Sequence, residues 1–337
     1  MAVGRWRRSS SATRSALLAL ALLALGVGLA ACGSSSKSPT SSSSTPTAAA
    51  TGTAASLPAP AANGPGANKP PIVIGDKNFT EENILGQLYA QALEGEGFKV
   101  RLEENIGSTE IIYKALLAGQ IDMYPEYTGT LLSTIAGQTK QPASSRAAYE
   151  QARAYVEKHG LTMLPPTPFY DSDALATLPS YASAHHLRSI ADLAPLGKSL
   201  TLGAPPEFAT RFEGLLGLKQ EYGVAPTFKP IAIELSYKAL ESGQVDVQNV
   251  FSTDGQLLSG KFKLLSDPKH VFGFQNVAPV LRYSALRDEG EFFGLTVNKV
   301  SSLLTLPAIQ RMNAAVSIDK QSPESVAHQF LVANGLG

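Results

Sequence analysis

The chain opens asymmetrically, with four arginines (Arg5, Arg7, Arg8 and Arg14) ahead of the unbroken apolar run Ala16–Ala31. A basic head, a short greasy core and a small-residue end are the pattern of an export signal. At 16 residues the run is shorter than the roughly 20 that a membrane-spanning helix needs. From Gly33 to about Pro70 the apolar pattern disappears, and Ser, Thr, Ala, Pro and Gly dominate with only Lys37 and Lys69 charged. Such a segment buries too little apolar surface to offset its ordering entropy, which predicts a disordered tether over residues 32–70.

Periodicity returns at Pro71-Ile72-Val73-Ile74-Gly75, which reads as a short buried strand ending in a turn. Thr80 is expected to cap a helix whose first turn holds Glu81 and Glu82, where acids suit the helix dipole. Ile84, Leu85, Leu88, Ala92 and Leu93 supply its apolar stripe, and Gly95-Glu96-Gly97 stops it. Phe98-Lys99-Val100-Arg101-Leu102 then alternates as a strand does. Strand, helix and strand within about 30 residues form a βαβ unit, so a mainly parallel sheet with helices on its faces is predicted. The body from Pro71 onward, about 265 residues, is long for one core and comfortable for two lobes.

The pattern also repeats. Tyr113-Lys114-Ala115-Leu116-x-x-Gly119-Gln120-Ile121-Asp122 recurs as Tyr237-Lys238-Ala239-Leu240-x-x-Gly243-Gln244-Val245-Asp246. Each copy reads as a helix end, a glycine cap and a strand ending in Asp. Five residues beyond each Asp stands an aromatic, Tyr127 and Phe251, followed by small hydroxyl residues and glycine. Helix–strand joins often look alike. The sharper reading is two pseudo-equivalent lobes that offer strand-end loops to a shared cleft, because open α/β sheets bind ligands outside their strand carboxyl ends.

Charge and chemistry narrow the function classes. Residues 1–31 carry four arginines and no acid, so a chain starting at Cys32 has formal charge −4 where the whole chain has +0. That balance argues against nucleic acid or an acidic membrane surface as partner. Cys32 is the only cysteine, which rules out an intrachain disulfide. With no G-x-S-x-G elbow, no G-x-G-x-x-G and no P-loop, no catalytic residue or cofactor is predicted, and the chain is read as a non-enzyme. The histidines (His159, His185, His186, His270 and His328) lack metal-ligand spacing, so no metal is expected.

Two resemblances carry the reading further. Leu29-Ala30-Ala31-Cys32 resembles the bacterial lipobox, which implies that Cys32 is lipidated, begins the mature protein and ties it to the extracytoplasmic face of the cell membrane. A chance cysteine at an ordinary cleavage site is the alternative. In the body, Gly75-Asp76-Lys77-Asn78-Phe79-Thr80-Glu81, Gly107-Ser108-Thr109-Glu110 and Ile121-Asp122-Met123-Tyr124-Pro125-Glu126-Tyr127-Thr128-Gly129-Thr130 are similar to motifs of substrate-binding proteins from osmoprotectant ABC importers. Those importers carry glycine betaine, choline or carnitine. Gly203-Ala204-Pro205-Pro206-Glu207-Phe208-Ala209-Thr210-Arg211, Ser252-Thr253-Asp254-Gly255, Asp267-Pro268-Lys269-His270 and Ala278-Pro279-Val280 extend the likeness over nearly the whole body.

This resemblance implies a two-lobed α/β periplasmic-binding-protein fold of type II, with two chain crossovers and hinge closure around the ligand. Lobe I would comprise 71–172 and 276–337, lobe II 173–275, with crossovers near Ser172 and Asn276. The implied partners are a small solute, a permease and its ATPase, with the binding protein itself a monomer. A solute sensor without transport is the rival role. Family members hold a quaternary ammonium in a cage of aromatic faces and a carboxylate tail with a Lys, an Arg and a Thr.

On the matching motifs the tail clamp becomes Lys77, Arg211 and Thr130, and the first cage ring becomes Tyr127. The other cage positions depart from the family: Asp173 and Gln275 replace rings, and Phe251 lacks the expected hydroxyl. A one-residue shift would put Phe274 in place of Gln275. Losing two rings weakens a cage worth roughly 0.5–2 kcal/mol per contact, and a buried Asp173 would favour a guest with N–H or O–H donors. The alternative ligand is therefore a hydroxylated aromatic compound or an amine between Tyr127 and Phe251. Each residue also has an ordinary reading. Lys77 and Arg211 could be solvated charges, and Tyr124, Tyr127 and Phe251 core packing. Asp122 and Asp246 are expected to brace loops.

Overall fold

The computed structural model describes residues 63–336; the export signal, Cys32 and most of the tether lie outside them. Residues 63–70, expected to belong to a disordered tether, instead form turns docked on the end of the first helix. Gly66 N–H donates to the Glu96 carbonyl at 3.0 Å. A Cβ on Gly66 would lie 2.3 Å from Phe98 N, so the close approach is open to glycine alone. The polar composition of this stretch concealed a contact made by its glycines.

Strands β1 (Ile72–Gly75), β2 (Val100–Glu103), β3 (Met123–Tyr127) and β4 (Leu161–Met163) come from the first part of the body. β5 (Asp173–Thr177), β6 (Thr201–Ala204), β7 (Thr227–Pro230), β8 (Val247–Phe251) and β9 (Lys263–Leu265) follow. β10 (Val277–Arg282) returns to the first set. They build two five-stranded sheets with orders β2-β1-β3-β10-β4 and β7-β6-β8-β5-β9.

The two orders share one topology. In each sheet the strands run one way except the fourth in order, β10 or β5, which is antiparallel to both neighbours. Those two strands enter straight from the other lobe, without a crossover helix to turn them round. The mainly parallel expectation therefore holds for every strand that a βαβ path delivers and fails for the two that cross. The crossing segments run side by side, joined by a bridge between Tyr170 and Asn276 and by Asp171 N–H on the Gln275 carbonyl at 3.0 Å. The Asn276 side-chain amide adds bonds to the Thr167 and Phe169 carbonyls. Each sheet has apolar clusters on both faces, which is why β3 and β10 are buried along almost their whole length.

Helix α1 (Thr80–Gly95) begins one residue earlier than its sequence suggested: Phe79 is its cap and Thr80 its first residue, with no side-chain capping bond. Glu81 and Glu82 stand in the first turn as expected, and both are buried. Helix α2 (Thr109–Leu117) and the helix Ser236–Glu241 each end before a glycine of positive φ, Gly119 at 70° and Gly243 at 68°. Asp122 and Asp246 precede β3 and β8 rather than ending a strand. The Asp122 carboxylate accepts Val73 N–H at 2.8 Å, and the Asp246 carboxylate accepts Thr201 N–H at 2.8 Å. Both thus brace the neighbouring strand at the same place in its sheet.

Gly66→Ala should lower unfolding stability by about 1–3 kcal/mol through overpacking. Gly95→Ala, whose new Cβ meets nothing closer than the Leu336 carbonyl at 3.8 Å, should change stability little. Urea unfolding of the two variants checks the contrast.

Candidate ligand-binding cleft

The carboxyl ends of β3 and β8 deliver Tyr127 and Phe251 to a cavity of about 60 Å³ between the two sheets. Its lining brings together all seven residues singled out in the sequence: Lys77, Tyr127, Thr130, Asp173, Arg211, Phe251 and Gln275.

The rings are arranged differently from a two-sided sandwich. Phe79 lies between the two strand-end aromatics, stacked on Phe251 with centroids 5.4 Å apart and tilted towards Tyr127 at 6.1 Å. Phe79 belongs to the opening Gly75–Glu81 motif but was not singled out; an aromatic two residues from Lys77 was the available signal. The Tyr127 hydroxyl donates to Glu81 Oε1 at 2.8 Å, and Glu81 Oε2 accepts from Thr253 and Asn313. Glu81 thus joins the two lobes behind the rings. Gln275 lines the cavity, whereas Phe274 does not and stacks with His270.

Lys77 is 3% exposed, and its ammonium donates to Glu126 Oε1 at 2.7 Å with Glu82 Oε1 at 3.7 Å. It also lies 4.4 Å from the centroid of Tyr127, within cation–π range. Burial pushes Glu82 well above the ordinary carboxylate range, with Lys77 opposing. Arg211 grips Glu110 across the cleft with two nitrogens, at 3.2 and 2.9 Å. Burial alone would raise the Glu110 carboxyl; the Arg211 and Ser108 hydrogen bonds outweigh it and bring it down to about 2. Glu110 therefore occupies the guanidinium fork as a carboxylate ligand would.

Gln275 Oε1 accepts the Thr130 N–H at 2.9 Å, and its amide nitrogen donates to Glu213 Oε1 at 2.7 Å. Glu213 is buried, lines the cavity and was missed in the sequence, where it is one acid in an unremarkable Phe-Glu-Gly stretch. Burial, followed by the Asp173 carboxylate, pushes it up to about 7. Asp173 is pushed up to about 6 by burial, while the Asn249 amide at 2.7 Å opposes.

A family model described as the substrate-binding domain of ABC-type glycine betaine transport systems matches residues 70–333. The chain belongs to this family. Its members are the extracytoplasmic components of ABC importers that bind a small solute and present it to a permease. A glycine-betaine-binding protein of Pseudomonas aeruginosa is 33% identical over 270 residues, 77% of this chain and 86% of the relative. A carnitine transport binding protein of Listeria monocytogenes is 27% identical over 277 residues, 80% of this chain and 88% of the relative. The crystal structure of a glycine betaine/carnitine/choline ABC transporter protein superposes with a TM-score of 0.63 at 26% identity, over 79% of this chain and 99% of that one. The two-lobed periplasmic-binding-protein fold follows from this likeness and from the paired sheets.

Glu213 is raised on folding, so its contribution to stability is present below its ordinary value of 4.5 and is lost as pH rises through about 7. Relative to Glu213→Gln, which keeps an acceptor for Gln275, the protein should lose up to about 3 kcal/mol between pH 5 and 8. Thermal melts of both proteins across that range check it; parallel curves would reject the assignment.

Proposed function

We propose that this chain is the lipid-anchored solute receptor of an ABC importer and that it captures a small ammonium osmoprotectant of the glycine betaine, choline or carnitine type. The observation that carries the reading is the convergence of three rings, Tyr127, Phe79 and Phe251, on one cavity between the lobes. A methylated ammonium has no hydrogen to donate, so it is held by ring faces through cation–π attraction. Thr130, Arg211 and Lys77 stand on the same cavity and would meet the polar end of the solute. For Arg211 this requires the ligand to displace Glu110.

In this reading 71–172 with 276–337 forms lobe I and 173–275 forms lobe II, and the paired crossings at Tyr170–Ser172 and Gln275–Asn276 are the hinge. Lipid on Cys32 keeps the receptor beside a permease driven by an ATPase, and the tether gives it reach. Relatives named for glycine betaine and carnitine binding support the ligand class.

A ligand that binds only the folded state raises the melting temperature by mass action. Millimolar glycine betaine, choline or carnitine should therefore raise the melting temperature of the mature protein, and calorimetry should show Phe251→Ala or Tyr127→Ala weakening that ligand by about tenfold or more. No response to any of the three would reject the ligand class. Cys32→Ser should release the protein from membranes into the soluble fraction; retention would reject the lipid anchor.

A further inference from the structure

The hydrogen-bonding capacity left over in the cleft is of one kind. The cations are occupied: Lys77 by Glu126 and Glu82, and Arg211 by Glu110. The acids facing the cavity are not. Glu213 is 1% exposed; its Oε1 is tied to Gln275, and its Oε2 makes no hydrogen bond of ordinary geometry among the described residues, although the Ser133 hydroxyl stands near the carboxyl. Asp173 is held by Asn249 through Oδ1, and its Oδ2 has no partner among the described residues. Asp171, two residues earlier on the crossing segment and 4% exposed, uses Oδ1 for Ser252 and Thr253; its Oδ2 and that of Asp173 are not buried orphans, so Glu213 Oε2 is the unpartnered buried oxygen of the cavity among the described residues. Buried polar groups in native proteins are satisfied, so the orphan Glu213 Oε2 points to a partner that arrives with the ligand, and Asp173 lines the same cavity as a second, solvent-reached acceptor.

The acids also outnumber what the cations can neutralise. A guest carboxylate entering here would meet Asp171, Asp173 and Glu213 and find both cations already paired. A guest cation with a hydrogen to donate would meet acceptors beside Phe251 and Tyr127, which can cover its methyl groups.

We propose that, within the ammonium solutes of the function proposed above and resting on that reading, the cleft selects cations that carry an N–H or O–H donor, with the open oxygens of Glu213 and Asp173 as its acceptors. Glu213 and Asp173 are then the specificity-determining residues, and Gln275 is a positioning residue that holds one side of Glu213 and leaves the other for the solute. A site built to hydrogen-bond a hydroxyl rejects the analogue that lacks it, because its own buried groups stay unpaired.

Isothermal titration of the mature protein tests this with matched probes: choline, 2-(dimethylamino)ethanol, the O-methyl ether of choline, and glycine betaine. Choline and 2-(dimethylamino)ethanol should bind at least about tenfold tighter than the ether, in which a methyl group replaces choline's hydroxyl hydrogen and removes the donor. In Glu213→Gln and Asp173→Asn, which preserve shape and the bonds to Gln275 and Asn249, that gap should shrink to about threefold or less. Choline should lose at least about threefold more affinity than the ether in both variants, and unaltered melting curves at pH 5 would show that they fold.

Equal binding of choline and its ether to the unmutated protein overturns the inference and leaves the ammonium-binding function standing. So does a gap that persists undiminished in both variants. Silence from all four compounds overturns the proposed function, and the inference with it.

Discussion

Lys77 carries its ammonium into a position where 3% of the residue meets solvent, and the first lobe is arranged around that buried charge. It comes off the end of β1, reaches Glu126 on β3 and Glu82 on α1, and lies against the face of Tyr127. Leaving any member of such a network unpaired costs about 3–5 kcal/mol, so strand, helix and ring are held in one relation. Tyr127 then passes the constraint on: its hydroxyl meets Glu81, and Glu81 meets Thr253 in the other lobe. The wall of the cleft is thus fixed by electrostatics from behind, while the rings in front stay apolar.

The same body plan appears twice. β1, β2, β3, β10 and β4 correspond in order and direction to β6, β7, β8, β5 and β9. Asp122 and Asp246 each brace a neighbouring strand through one backbone N–H. Both cleft-facing aromatics are the last residues of their strands, so two copies of one local solution face each other. The join between them is a pair of antiparallel segments, and the strands that leave it fill equivalent slots in the two sheets.

Much of this was legible in the sequence because it is local. The Tyr-Lys-Ala-Leu echo, the glycines with positive φ and the strand-end aromatics all lie within about fifteen residues of one another in each copy. What was missed depends on chain-distant contact. Glu81 and Glu82 stand where a helix usually carries exposed acids, and nothing nearby in sequence tells of Thr253 and Asn313 closing over Glu81. Glu213 meets Gln275 across 62 positions, and Glu110 meets Arg211 across 101. The two crossing strands are antiparallel because of their entry route, which periodicity does not record.

The pair of Glu110 and Arg211 ties the lobes together at a half-open rim, with side chains 35% and 18% exposed. The two groups touch at 2.9 Å, no farther apart than the Debye length of about 3 Å at 1 M salt, and a partly buried pair is screened much less than an exposed one. The Lys77 network behind the rings is shielded further still. Dissolved salt therefore leaves both the clasp and the pocket's framework largely in place, so the link across the rim holds in dilute and in concentrated media alike.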